Sequence, residues 1–179
     1  MKILKITAIM IFISVMFTAC LTCEKKTYTF TLNGKGGGTL TIVYYNIMSS
    51  KDGDKVVTDD DFSEMMNDYI NGKKMEEEFP NAYGVKKELY EEGGKLCGKV
   101  TLSFDNFKGG KLYQYDKKSP IMYSLSGSLS ETYLDSNGKF DGDVMSVVFW
   151  PKGTKSLNLS TTVTKPDETT ISLLDKYKA

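Results

Sequence analysis

The sequence predicts an α+β fold, an antiparallel β-sheet of about seven strands with one main amphipathic helix packed on one face. Three observations point there. Runs of alternating polar and β-branched or aromatic residues recur from Tyr28 to Val163. Several of the connections between them are short and rich in Gly or Asn-Gly, which suits antiparallel neighbours. Only the stretch opening at Thr58 carries helical periodicity over more than two turns.

The elements follow in order. Tyr28–Leu32 and Thr39–Ile47 flank Asn33-Gly34-Lys35-Gly36-Gly37-Gly38 and read as a hairpin. A phosphate-binding loop is the alternative for that glycine cluster. It needs a strand-to-helix context and a Gly-Lys-Ser/Thr ending, and here a second strand follows. Thr58 with Asp61 three residues on resembles a capping box, and Asp59, Asp60 and Asp61 complement the helix dipole. Phe62, Met65, Met66, Tyr69 and Ile70 then form one apolar stripe, and Gly72 stands where a C-terminal cap belongs. Met75 to Pro80 reads as an acidic connector. Val85–Tyr90 and Lys95–Phe104 around Gly93-Gly94 read as a second hairpin, although Val85 and Leu89 also fit a short helix. Ile121–Tyr133 alternates as one strand, Ser136-Asn137-Gly138 as a turn, and Val144–Trp150 and Leu157–Val163 as the last strands. Ile171–Leu174 suggests a closing helical turn.

Composition narrows the chemistry. Lysine and acidic residues balance at 23 each, with no histidine and, along the chain, no arginine. Histidine-assisted nucleophiles, histidine proton shuttles and histidine metal sites are therefore excluded. Bidentate guanidinium recognition of phosphate or carboxylate is excluded too. Without residues 1–19 the chain has 160 residues, one domain's worth, with 21 lysines against 23 acids and a net charge of −2. That balance argues against a nucleic-acid partner. The charge is uneven: residues 52–92 carry −8 and the rest of the mature chain +6. Acidic and basic docking faces, or two merely solvated faces, are the readings open at this point.

The N-terminus has the anatomy of an export signal. Lys2 and Lys5 precede an apolar run from Ile6 to Phe17, which is followed by Thr18-Ala19-Cys20. About a dozen apolar residues are too few for the roughly 20 a spanning helix needs. Phe17-Thr18-Ala19-Cys20 resembles the lipobox of bacterial lipoproteins. That resemblance implies cleavage before Cys20, acylation of Cys20 and membrane anchoring through the lipid. Leu21 is not the aspartate that marks inner-membrane retention in some proteobacteria, so the resemblance implies the outer membrane of a double-membraned host. The expected organisation is a signal over 1–19, a lipidated tether over 20–26 and a single domain over 27–179. Seven extended residues reach about 25 Å, which would hold the domain close to the membrane. With Cys20 acylated, Cys23 and Cys97 are either a disulfide pair or a free thiol and a small buried strand residue.

Each candidate site has a structural counterpart. Phe62, Met65, Met66 and Tyr69 could line an adaptable ligand cavity or pack as core. Trp150 could stack a ligand at a strand end or plug the core. Asp52-Gly53-Asp54 with Asp59-Asp60-Asp61, and Asp135 to Asp143, offer oxygen ligands for calcium. Neither matches an EF-hand spacing, and a turn and a helix start explain them better, so no metal and no cofactor is expected. No Gly-x-Ser-x-Gly nucleophile motif occurs. The expectation is a non-catalytic envelope lipoprotein that binds an apolar ligand or a protein partner beside the membrane. A structural subunit of an envelope complex is the second reading, and a hydrolase using lysine or carboxylates the third.

Overall fold

The computed structural model describes residues 21–50, 58–125, 131–143 and 145–179. Its main layer is a seven-stranded antiparallel sheet. Strands β1 (Leu21–Leu32) and β2 (Gly38–Ser50) pair from Leu21↔Ser49 to Leu32↔Gly38. The glycine-rich connection is a hairpin loop, closed by Asn33 N–H on the Gly37 carbonyl at 2.9 Å and by Lys35 N–H on Asn33 Oδ1 at 2.8 Å. Strands β3 (Ala82–Glu92) and β4 (Lys95–Phe104) form the second expected hairpin. Its turn residues Gly93 and Gly94 both have positive φ, 58° and 73°, the conformation a two-residue primed turn requires. The helical alternative for residues 85–90 is thereby excluded.

The sheet continues through β6 (Thr132–Ser136) and β9 (Ser156–Thr162), giving the order β3-β4-β2-β1-β9-β6. Strand β10 (Thr170–Ser172) pairs with β2 beyond the end of β4, at Met48–Ser50, whereas β4 pairs with β2 only from Gly38 to Tyr44. Between the two lies Asn46, with φ 55°, a left-handed residue that interrupts the strand alternation. Leu40 and Ile42 before it, and Ile47 after it, belong to interior clusters.

Of residues 20–26, expected as a tether, 21–26 are the first half of β1. Their charges hid the strand, and the fold gives each one a partner. Asn46 Nδ2 donates to the Glu24 carboxylate at 2.8 Å, Lys25 lies 5.3 Å from the Tyr45 ring centroid, and Lys26 pairs with Glu131 at 2.8 Å.

A smaller sheet faces the first, built from β5 (Ile121–Ser124), β7 (Lys139–Asp141) and β8 (Val147–Trp150) in the order β5-β8-β7. The single strand expected over Ile121–Tyr133 is thus two short strands in different sheets. Ser136-Asn137-Gly138 is a corner between sheets rather than a hairpin turn, since β6 pairs with β9 and β7 with β8. Between the sheets lies the larger core, with Phe30, Leu40, Ile42, Leu102 and Leu157 on one side and Ile121, Val148 and Trp150 on the other.

Asn137 holds the corner. Its Oδ1 accepts from Trp150 Nε1 at 2.7 Å and from Asn158 N–H at 2.8 Å, while its Nδ2 donates to the Ser156 carbonyl at 2.9 Å. Gly138 is required by space: a Cβ there would lie 2.7 Å from the Phe149 carbonyl oxygen. Asn137→Ala is expected to cost about 1–3 kcal/mol, because it leaves the buried indole N–H without its acceptor. Urea unfolding monitored by Trp150 fluorescence measures the loss.

Helix α1 (Thr58–Glu64) runs directly into a π-helical segment, Met65–Ile70, closed by Asn71 N–H on the Met66 carbonyl at 2.9 Å. A short α2 (Lys74–Glu78) occupies part of the expected acidic connector, and α3 (Leu174–Lys178) is the closing turn. Part of the acidic segment's charge is paired with the basic remainder within the fold. Glu78, Glu88 and Glu91 pair with Lys111, Lys99 and Lys178 of the basic remainder, and Asp59 pairs with Lys176. Each exposed pair contributes about 0–1 kcal/mol, but together they join the two oppositely charged parts of the chain.

Candidate apolar cavity

A cavity of about 590 Å³ lies between the helical segments and one end of the main sheet. Its sheet side comes from the start of β1 (Leu21, Cys23, Lys26), from Tyr44 and Ile47 of β2, from Leu89 of β3 and from Gly98 and Val100 of β4. Its roof is Met65, Tyr69, Ile70, Met75 and Glu78. The helical part of that roof has a local cause. A π-helical turn, with bonds from i to i+5, stacks residues four and five apart instead of three and four. Met65, Tyr69 and Ile70 have that spacing and all face the cavity. Gly98 keeps the floor open, since a Cβ there would already sit 3.1 Å from Ile47 Cδ1 and 3.6 Å from Leu89 Cδ2.

The charged side chains at the cavity are all engaged. Lys26 Nζ meets Glu131 Oε1 at 2.8 Å, and Lys87 Nζ meets Glu76 at 2.8 Å and the Gly72 carbonyl at 2.6 Å. Glu88 pairs with Lys99, and Glu78 with Lys111 at 2.8 Å. The Lys26 ammonium also stands 5.4 Å from the Tyr44 ring centroid. The Tyr44 hydroxyl points at the Met75 sulfur, 3.6 Å away.

Around Lys26 lies a buried polar cluster. Glu131 accepts from Lys26, from the Tyr28 hydroxyl at 2.9 Å and from the Thr161 hydroxyl at 2.8 Å. Burial pushes its pKa up, but the Lys26 charge and the three donors outweigh that and hold it below the usual carboxylate range. Two other groups facing the cavity are locked in neutral form. Burial pushes the Cys23 thiol up to about 12 and the Tyr44 phenol well above its ordinary value.

Of the residues singled out in the sequence, Met65 and Tyr69 line the cavity; Phe62 and Met66 do not, but pack against the cluster to which Met65 belongs together with the cavity-lining Cys23 and Ile47. Trp150 is fully buried in the other core cluster, where the core-plug alternative puts it. Met75, Leu89 and Val100 were not anticipated as site residues. Met75, the one apolar residue among Lys73 to Glu78, was the available signal for a second roof element.

Among the described residues no group of three acidic or sulfur side chains is placed to hold a metal. Asp61 accepts from the Ser49 hydroxyl instead. Asp52-Gly53-Asp54 and Cys20 lie outside the described residues.

Cys23 and Cys97 are both free and buried in this structure, on separate strands, as in the second of the two alternatives. Cys23 faces the cavity. Cys97 alternates away from Leu96 and Gly98 along β4. Because burial raises both thiol pKa values, a Cys20→Ser protein is expected to react negligibly with a thiol reagent at pH 8. In guanidinium two equivalents should react, and a count of zero would restore the disulfide.

Comparison with protein-family models, with curated proteins and with solved structures gives no match to this chain.

Proposed function

We propose that this chain is a non-catalytic lipoprotein of the bacterial cell envelope, anchored in the outer membrane through Cys20, whose domain binds a small apolar ligand beside the membrane. The cavity between the π-helical segment and the sheet carries the reading. Its volume, about 590 Å³, falls within the roughly 300–1,000 Å³ of small-molecule sites. Met65, Ile70, Met75, Leu89 and Val100 give it an apolar, adaptable wall.

The absence of catalysis is supported by the state of the surrounding groups. A general acid or base needs a pKa near the working pH and a free approach to substrate. Here the lysines and glutamates at the cavity are ion-paired, and Cys23 and Tyr44 are held neutral. A docking subunit presenting oppositely charged faces is supported less, because acidic and basic parts of the chain pair with each other within the domain.

A neutral apolar fluorophore, N-phenyl-1-naphthylamine, titrated into detergent-free Cys20→Ser protein tests the reading. Saturable binding with one site and a Kd of about 1–10 μM is expected, equivalent to roughly −7 to −8 kcal/mol. Ile70→Trp, which fills the cavity from its roof, should weaken binding at least tenfold. Linear, unsaturable fluorescence in the parent protein would remove the ligand-binding reading.

A further inference from the structure

We infer that the occupant of this cavity is an acyl chain carried by Cys20 itself, so that the protein shelters part of its own anchor. The inference rests on the readings of Cys20 as lipidated and of the cavity as an apolar seat, and it names the ligand. Two observations lead to it.

The first is position. Leu21, Thr22 and Cys23 line the cavity as the first residues of β1. Cys20 is bonded to Leu21, and consecutive Cα atoms lie about 3.8 Å apart across a trans peptide. A chain attached at Cys20 therefore starts at the rim of the cavity, with no tether between anchor and fold. Covalent attachment gives it an effective concentration at the cavity of about millimolar order.

The second is charge. A free fatty acid or an anionic phospholipid needs a cation for its head group, and a buried carboxylate without one is costly. Lys26, Lys87 and Lys99 are the lysines at the cavity, and they already pair with Glu131, Glu76 and Glu88. The site thus suits a neutral hydrocarbon whose polar end is bonded elsewhere, which is what an amide- or thioether-linked acyl chain supplies. Each methylene moved from water to an apolar wall contributes about 0.8 kcal/mol. A chain moved from bilayer to cavity exchanges one apolar surrounding for another, so both positions are accessible. Outside a bilayer, the seated position hides hydrocarbon from water.

The test uses the lipidated full chain, labelled with ¹³C at the methionine methyls, in nanodiscs of perdeuterated phosphatidylcholine. Of the acyl chains present, only the protein's own then carry protons. Nuclear Overhauser contacts from acyl methylenes to the methyls of Met65 and Met75 are expected beyond those that the Cys20→Ser protein shows, and Ile70→Trp should abolish them while leaving the amide shifts of strands remote from the cavity unchanged. If those contacts are absent while the Cys20→Ser protein binds N-phenyl-1-naphthylamine, the self-occupancy inference is overturned and the cavity serves another apolar ligand. If contacts and probe binding are both absent, the ligand-binding reading falls with it. An intact mass showing no acyl group on Cys20 overturns the inference at its premise.

Discussion

Among the described residues, Glu131→Ala is expected to be the most damaging substitution of a charged residue, lowering stability by about 3–5 kcal/mol. The Glu131 side chain is 4% exposed, and it accepts from Lys26, Tyr28 and Thr161. Truncation strands an ammonium that is itself only 20% exposed, together with two buried hydroxyls. At roughly 2–4 °C per kcal/mol for a chain of this length, Tm should fall by about 6–20 °C. The pH dependence follows from the direction of the shift. Because the folded state holds the Glu131 pKa below its unfolded value, the unfolded chain binds more protons across the interval between the two. Its stabilisation is therefore complete above the ordinary glutamate value of about 4.3 and is lost as pH falls through the lower folded value. Thermal unfolding followed from pH 7 to pH 3 should show part of the wild-type acid loss missing in Glu131→Ala. Parallel curves would mean that the carboxylate is not held as described.

Trp150→Ala should cost a similar 3–5 kcal/mol for a different reason. The indole is fully buried against both sheets, and its N–H closes on Asn137. Removal leaves a cavity and orphans part of the corner clamp. Trp150→Phe should recover most of the loss. Neither change should alter the affinity for N-phenyl-1-naphthylamine while the protein remains folded, because Trp150 belongs to the core cluster that does not enclose the ligand cavity. Guanidinium midpoints measured alongside probe titration separate the two effects. A parallel loss of affinity and stability would mean that the two clusters are one cooperative site.

Much of the architecture was legible because it rests on local chemistry. Gly93-Gly94 and the glycine-rich stretch after Leu32 mark hairpins by the backbone conformations they permit, and the alternation of Leu40, Ile42, Leu102 and Phe104 marks one buried face. What could not be read depends on partners distant in sequence. Glu24, Lys25 and Lys26 look like solvated linker until Asn46, Tyr45 and Glu131 are placed against them. Tyr123 and Tyr133 keep one alternation although the chain changes sheets between them, because both sheets face the same core. The apolar stripe from Phe62 to Ile70 announced a helix that covers the sheet. Its π-helical phase, which decides that Met65, Tyr69 and Ile70 face the cavity, has no signature in hydrophobic spacing alone. The cavity was foreseeable only as a gap between that helix and the sheet, and Gly98 at its floor looked like any strand glycine.

A co-crystal of the Cys20→Ser protein with a brominated long-chain alkane tests the central claim most directly. Anomalous bromine density is expected between Met65 and Tyr69 on the roof and Val100 on the floor, with the alkane leading toward Leu21. Density confined to the shallow cleft beside Tyr83 and Asp105, or a cavity closed by inward collapse of the methionines, would contradict the account.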